Sequence, residues 1–448
     1  MYNVLKMINS KEYSPWFRCL PILIVFLINI FLLAENFPVS DGIRYWDTAS
    51  DILDGFQKKS ILESYLLLNG PFYPLILAFL KGIGFSVKAS IYLNAFFLYV
   101  GFTFFYKTLY QYISFKKSLL ATYILVFIDP FLFYWTAKLY SEPLTILLVC
   151  VLIFYLNSFF KSSSKKYLLL SAFIFCLMAL TRVIFAYVAL SIVILGLAGW
   201  FIFKSSLFNK LLKFSSLSLL FCIPYLIFTY SVTKKVFYFS GNGGLLLYWT
   251  SSPYPSDMGE WHTLPINHDH FAARYSKFSG LDSLYLRKVN DVIINQINSN
   301  HKDFAESLKD KDILEYDQAL KDKAILNIIS YPISFIKNWI LNTGRLLVGI
   351  PHAIYNKPPF SPHFNLINTI KSSFLLFLLI VSLFLSLRNN WIERQLLTST
   401  ILILIIYLGG QSLLAVQSQR FLLPVYPLII FIISLSLHNN LILKSNKK

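Results

Sequence analysis

PWFRCLPILIVFLINIFLLAENFPVSDGIRYWDTASDILDGF, residues 15–56, joins two segments of opposite character. The first, Trp16 to Ala34, is an apolar run of the length that crosses a bilayer as a helix, about 20 residues. The second, Asp41 to Phe56, is acidic and amphipathic. Tyr45, Ala49, Ile52, Leu53 and Phe56 recur at helical spacing, while Asp47, Asp51 and Asp54 fall on other faces. A helix with that pattern lies along a membrane surface with its acids in water.

The rest of the chain extends this pattern. Of 448 residues, 56% are hydrophobic and 14% charged, with a mean hydropathy of +0.59. Such a composition excludes an ordinary soluble globule of one or two domains. The apolar runs are continuous rather than alternating, which excludes a β-barrel. The expected fold is an all-α polytopic membrane protein with about ten transmembrane helices, interfacial helices in the first external loop and a mainly helical external (periplasmic) segment. The net charge of +18 comes from short basic clusters between apolar runs, so it reads as the positive-inside rule and not as a nucleic-acid surface. Cys19, Cys150, Cys176 and Cys222 lie in apolar segments without paired spacing and read as buried structural thiols. Lys6, Lys11 and Arg18 precede a long apolar run without a clear small-x-small cleavage site, so this run is expected to stay as an uncleaved first span.

The expected crossings are Trp16 to Ala34, Ile91 to Ile113, Ser118 to Trp135, Pro143 to Phe160, Tyr167 to Leu180, Ile184 to Phe203, Phe214 to Val232, Leu366 to Leu387, Gln395 to Val416 and Phe421 to Leu437. With both termini cytoplasmic, Lys116 and Lys117, the run Lys161 to Lys166, Lys204 to Lys213, Arg388 to Arg394 and the tail Lys444 to Lys448 all fall inside. Two apolar stretches, Pro71 to Phe85 and Pro332 to Tyr355, would invert this order as full crossings and are expected to be interfacial or re-entrant. The chain then divides into residues 1–232, an N-terminal membrane module with its catalytic loop at 35–70; 233–335, an external soluble segment; and 336–448, an interfacial helix with the C-terminal spans. In the external segment, Gly241, Gly243, Gly244, Pro253, Pro255 and Pro265 read as loop and turn, and Asp282 to Ser330 as helices with an Asp- and Lys-rich wet face.

The topology also sorts the acids. Outside the external segment, only Glu12 and Glu393 are cytoplasmic; Glu35, Asp41, Asp47, Asp51, Asp54, Glu63, Asp129 and Glu142 lie at or near the outer face. A carboxylate at this boundary can take a proton from an acceptor hydroxyl or amine, or hold a divalent cation against a departing phosphate. Asp41 suits either role, and equally an N-cap with Ser40. Glu142, in Lys138-Leu139-Tyr140-Ser141-Glu142-Pro143, opens a span on the same face, where a first-turn acid also complements the helix dipole. Asp41 and Glu142 are therefore the metal candidates, and no other cofactor is indicated. Arg182, in a tight outer turn, and Arg420, at the head of the last span, sit where the positive-inside rule does not place them. Their forks match phosphate oxygens or snorkel to headgroups. His262, His268 and His270 with Asp269 form a polar loop cluster lacking a third zinc ligand at fixed spacing.

Taken together, these residues resemble the polytopic glycosyltransferases of the C superfamily, in particular bacterial relatives of protein O-mannosyltransferases and lipid A aminoarabinose transferases, a family 39-like pattern. Asp41 with Tyr45, Ala49, Ile52-Leu53 and Gly55 is similar to that family's first external loop. Gly70-Pro71-Phe72-Tyr73-Pro74, Ser141-Glu142-Pro143, Leu180-Thr181-Arg182 and Arg420-Phe421-x-x-Pro424 match later landmarks in order. The resemblance covers the first 235 residues, and the remainder through Arg420 and the overall layout. It implies a glycosyltransferase of the cytoplasmic (inner) membrane, of inverting mechanism, that moves a sugar from a polyprenyl-phosphate-linked donor to a lipid, glycan or protein acceptor. In that scheme Asp41 is the catalytic carboxylate, and Tyr45, Tyr73, Lys138, Glu142, Arg182 and Arg420 bind substrate. Gly70 stands where the family has Pro, Asn69 near a phosphate-binding Lys of some members, and Gln419 where relatives often have Glu.

An O-antigen polymerase or ligase also combines many spans with a large outer loop, but lacks a reason for the early acidic helix. A lipid-linked sugar flippase or transporter would place ionisable groups near the bilayer midplane, and the middles of the fourth to tenth expected spans contain none. The topology predicts that Asp47→Cys and Asp310→Cys are both labelled from outside intact cells by an impermeant thiol reagent; protection of both inverts the map.

Overall fold

The computed structural model describes residues 14–39, 41–58, 60–62, 64–261, 283–309, 311–348, 362–388, 394–414 and 419–445. The His262, His268, His270 and Asp269 cluster lies outside them. The described residues form helices joined by short turns, and no strand occurs among them. By length and composition six of these helices can cross a membrane, or up to nine if each of three bent pairs is one span. The chain is a multi-pass membrane protein.

It divides into two compact units. The first comprises Met1–Ser240, Leu378–Tyr407 and Leu423–Lys448; the second comprises Gly241–Phe377 and Leu408–Leu422.

In the first unit, α1 (Pro15–Leu33) is followed by α2 (Asp41–Leu53), α3 (Phe72–Gly82) and α4 (Val87–Tyr110). The 11 residues of α3 rise about 16 Å at 1.5 Å each, half the hydrocarbon thickness, so it cannot cross alone. Arg18 is buried in α1, donating 2.5 Å to the Tyr106 hydroxyl, with its guanidinium over the Phe115 ring. The expected crossing from Ser118 is broken by 67° into α5 (Phe115–Phe127) and α6 (Pro130–Thr136). Pro130 has no N–H to continue the helix, and Asp129 caps the new one by accepting from Phe131 N–H at 3.0 Å. Asp129 is buried there and also accepts from Tyr426 Oη at 2.9 Å, so it is a structural acid and not a surface one.

Helices α7 (Glu142–Ser162) and α8 (Lys165–Thr181) form an antiparallel hairpin, closed by Ser163 in the left-handed region. They are followed by α9 (Ile184–Phe203), α10 (Ser206–Phe221) and α11 (Ile223–Thr233). A 49° bend separates the last two, where Pro224 sits in the first turn of α11. The Cys222 thiol at this bend meets Cys176 Sγ at 3.4 Å, a proximity that sequence spacing concealed.

The second unit begins with α12 (Gly243–Thr250), where glycine content predicted a turn. Helix wins because Tyr248 and Trp249 enter a core with Ile297, Leu308, Leu320 and Ala324. The core's other helices are α13 (Ser283–Glu306) and α14 (Ile313–Ser330), which Asp312 caps through Leu314 and Glu315 N–H. Gly244 is required, since a Cβ there would overlap the Asp317 carbonyl oxygen, and its N–H donates to Asp317 Oδ1 at 2.7 Å. Beside this core His301 bridges Tyr248 Oη at 2.5 Å and Asp257 Oδ2 at 2.7 Å, and Ser252 donates to the same carboxylate. Helix α15 (Pro332–Val348) follows α14 after a 111° bend, and α16 (Pro362–Arg388), α17 (Arg394–Leu413), a 3-10 turn (Gln419–Val425) and α18 (Tyr426–Ser445) complete the chain.

Close helix packing rests on small residues, as is common within membranes. A Cβ on Gly101 of α4 would lie 2.9 Å from Leu147 Cα of α7. Gly101→Leu should therefore separate these helices and cost about 1–3 kcal/mol, as overpacking does. The check is a lowered midpoint of thermal unfolding in detergent, with Gly409→Leu, where a Cβ meets nothing within 4 Å, as the tolerant control.

Candidate active site

The site residues of the first unit are gathered at helix ends. Asp41 opens α2, where a first-turn carboxylate complements the N-terminal end of the dipole. The buried face of α2 is Gly42, Tyr45, Thr48 and Ala49, one helical stripe. The expected stripe is thereby shifted: α2 ends at Leu53, which is exposed, and Phe56 lies beyond it with positive φ. Thr48 and Ser50 return their hydroxyls to the backbone carbonyls of Arg44 and Trp46, at 2.7 and 3.0 Å. On the wetter side, Lys81 of α3 donates to Ser50 and lies 4.7 Å from the centre of the Trp46 ring. Asp54 pairs with Lys58 in solvent at 2.8 Å.

Two glycines set how closely the backbone can approach this site. At Gly42 a Cβ would stand 3.1 Å from the Leu139 carbonyl oxygen, so the turn beginning with Asp41 rests on the loop that leads into α7. At Gly70 a Cβ would overlap the Leu180 carbonyl oxygen, which fixes the segment before α3 against the end of α8. This is the physical reason for glycine at a position where the resemblance expects proline.

Glu142 and Arg182 meet because the α7–α8 hairpin returns the chain to its starting level. Glu142 is in the first turn of α7, with Pro143 beside it, and Arg182 is the C-cap of α8. Each charge thus sits at the helix end whose dipole favours it. Arg182 Nη1 lies 3.4 Å from Glu142 Oε1, with the carboxylate 2% and the guanidinium 11% exposed. The preceding Ser141 places its Oγ 3.3 Å from the Tyr45 hydroxyl, joining α2 to the same corner. Tyr73 of α3 packs edge-on to Tyr45, with ring centres 5.0 Å apart.

Electrostatics ties the cluster together. Burial, with the Asp41 and Glu142 charges, pushes the Tyr45 phenol up to about 12, against the Ser141 hydrogen bond and Arg182. Tyr45 is therefore a neutral hydroxyl at any physiological pH. Tyr407 of α17 lies within electrostatic reach of both Arg182 and Glu142 and stacks on Phe185 at 5.1 Å. Sequence reading quoted Ser141 as a landmark without giving it a role, and missed Tyr407. Nothing in an apolar run distinguishes Tyr407 from the other members of a set of 28 tyrosines.

Two predicted residues are placed differently. Lys138 turns its ammonium over the Tyr134 ring at 4.4 Å, while its backbone carbonyl accepts from Asn94 at 2.8 Å. Arg420 belongs to the second unit, in the 3-10 turn, with its guanidinium 5.2 Å from the Phe421 ring centre. Among the described residues no three His, Cys, Asp or Glu side chains come together in a metal-holding group. Glu142, compensated by a guanidinium at 3.4 Å, fits an arginine-held carboxylate better than a cation ligand.

No family model matches the chain, and no curated protein sequence matches it. Among solved structures, it is similar to a crystal structure of ArnT from Cupriavidus metallidurans bound to undecaprenyl phosphate. The likeness is remote. Identity is 11% and the TM-score 0.40, over 92% of this chain and 77% of that one, too little to decide fold or activity.

The buried ion pair makes its own prediction. Arg182→Gln leaves a carboxylate buried without its countercharge and should destabilise the protein by about 3–5 kcal/mol, and Arg182→Gln with Glu142→Gln should recover most of that. Thermal unfolding of the two variants in detergent decides it; equal losses in both would remove the pair from the account.

Proposed function

We propose that this chain is a membrane glycosyltransferase of the C superfamily type, which transfers a sugar from a polyprenyl-phosphate-linked donor to an acceptor at the outer face of the cytoplasmic membrane. The observation that carries the reading is the meeting of Tyr45, Tyr73, Glu142 and Arg182 in one corner, with Asp41 one helical turn before Tyr45. These are residues that sequence resemblance singles out from separate segments of the chain. Both termini are cytoplasmic in this reading, and the active site faces the periplasm.

The chemistry follows from the location. Nucleotide sugars are absent outside the cell, so the donor arrives on a lipid, with its phosphate at the headgroup level. The Asp41 carboxylate takes the proton from the acceptor hydroxyl or amine as that group attacks the anomeric carbon. The bond from this carbon to the phosphate oxygen breaks, its electron pair leaves with the phosphate, and configuration inverts. Arg182 supplies the planar positive fork for the phosphate oxygens, and Glu142 holds the fork in orientation. Tyr45 and Tyr73 wall the corner with a neutral hydroxyl and an aromatic edge. A divalent cation would supply the same stabilisation of the leaving group; with Arg182 already at Glu142, no step needs it.

Asp41→Asn should reduce sugar transfer by about 10²–10⁴-fold, the contribution of a positioned general base, with expression and membrane insertion unchanged. Mass spectrometry of surface glycolipids, polysaccharides and glycoproteins from cells with and without the chain supplies the product to assay. An Asp41→Asn protein that restores this product at the normal rate would falsify the assignment.

A further inference from the structure

The second unit carries a helix whose polarity is inverted. The inward face of α15 is polar, with Asn338, Asn342 and Arg345 all buried. Asn338 donates to the carbonyls of Thr250 and Ser252 at 3.0 and 2.9 Å, Asn342 to Thr250 Oγ1 at 3.1 Å, and Arg345 to Asn342 and the Met258 carbonyl. The outward face is apolar: Ile333 is 80% exposed and Ile340 65%, with Ile336 beside them. Across the 111° bend the end of α14 continues the same surface with Leu326 and Ile329, 60% and 72% exposed, and Tyr331 at the bend is exposed as well.

Water does not select such an arrangement, because a helix on an aqueous surface turns its polar side out and its apolar side in. Hydrocarbon does select it, since there the polar groups must be satisfied internally. Charge marks how deep it sits. From Ala324 to Gly344 the one charged side chain is Lys337, which is exposed and long enough to snorkel, whereas α14 before Ala324 exposes Glu315, Asp322 and Lys323. The Trp339 indole, partly exposed, donates to Ser412 Oγ at 2.9 Å, an amphipathic ring of the kind found at membrane interfaces. On the same face lies an open, mainly apolar groove of about 420 Å³, lined by Trp339, Ile340, Thr343, Leu347, Val348 and Leu376.

We propose that the corner formed by α14 and α15 is a re-entrant membrane anchor: bilayer lipid covers Leu326, Ile329, Ile333, Ile336 and Ile340, while the first half of α14 stands in water. The sequence places only Pro332 onward at the membrane and assigns Asp282 to Ser330 to the external soluble segment, as helices with an Asp- and Lys-rich wet face. The polarity gradient within α14 moves the boundary to about Ala324. This inference is independent of the catalytic reading.

The test uses the full-length chain in nanodiscs of phosphatidylcholine and phosphatidylglycerol, whose two faces are both open to solvent. Ile329→Cys and Ile333→Cys are compared with Glu315→Cys and Asp322→Cys, over the background of the four buried native thiols. An impermeant maleimide should label positions 315 and 322 and lose its reaction at 329 and 333 until the discs are dissolved in SDS. Bimane attached at 329 and 333 before reconstitution should be quenched by brominated lipid, and bimane at 315 should not. Labelling of 329 and 333 as fast as 315, without quenching, overturns the proposal. So does disulfide cross-linking between two copies through position 333 in place of quenching, which assigns the face to a second chain.

Discussion

The Glu142–Arg182 pair depends on the length match of two antiparallel helices. One begins with the acid, the next ends with the base, and a turn at Ser163 returns the chain to the same level. Opposite helix ends attract opposite charges, so each helix would favour its own charged terminus even without the other. Packed side by side, they set the two charges 3.4 Å apart, where burial makes each necessary to the other. The rest of the site is built against this corner. Gly70 lies on the end of α8, Gly42 lies on the approach to α7, and Ser141 reaches the Tyr45 hydroxyl.

A second constraint governs the other unit. Polar groups that leave water must find partners, and in this unit they do so with each other. His301, Asp257, Ser252 and Tyr248 form one chain of hydrogen bonds, and Asn338, Asn342 and Arg345 satisfy backbone carbonyls around Thr250 and Met258. The apolar side chains displaced from the inside are then free to face lipid. Arg18 of the first unit follows the same logic at a single residue, buried in its helix against the Tyr106 hydroxyl.

Much of this was legible in the residues. The apolar spans, the acidic helix from Asp41 and the shortness of the Pro71 to Phe85 segment follow from period, length and charge, which are local properties. Breaks at Asp129-Pro130 and Pro224 are local too, although they were absorbed into longer expected crossings. What escaped was the partnership of distant residues. Asp129 reads as a surface acid until Tyr426 is seen against it, and Cys176 and Cys222 look unrelated until their thiols meet. The Gly243–Thr250 helix escaped for the opposite reason, because local glycine content pointed away from a helix that only its packing on α14 makes favourable.

By itself, then, the sequence determined the solvent of this protein and the inventory of its chemistry. Hydrophobicity sums over contiguous residues, and charge between spans is sorted by the membrane rather than by the fold. Tertiary structure alone decided which charges face one another, which glycines are obligatory and which side of α15 is the outside. Those are properties of contact between segments far apart in the chain, and a polar residue has no sign of inside or outside until the groups that satisfy it are in place.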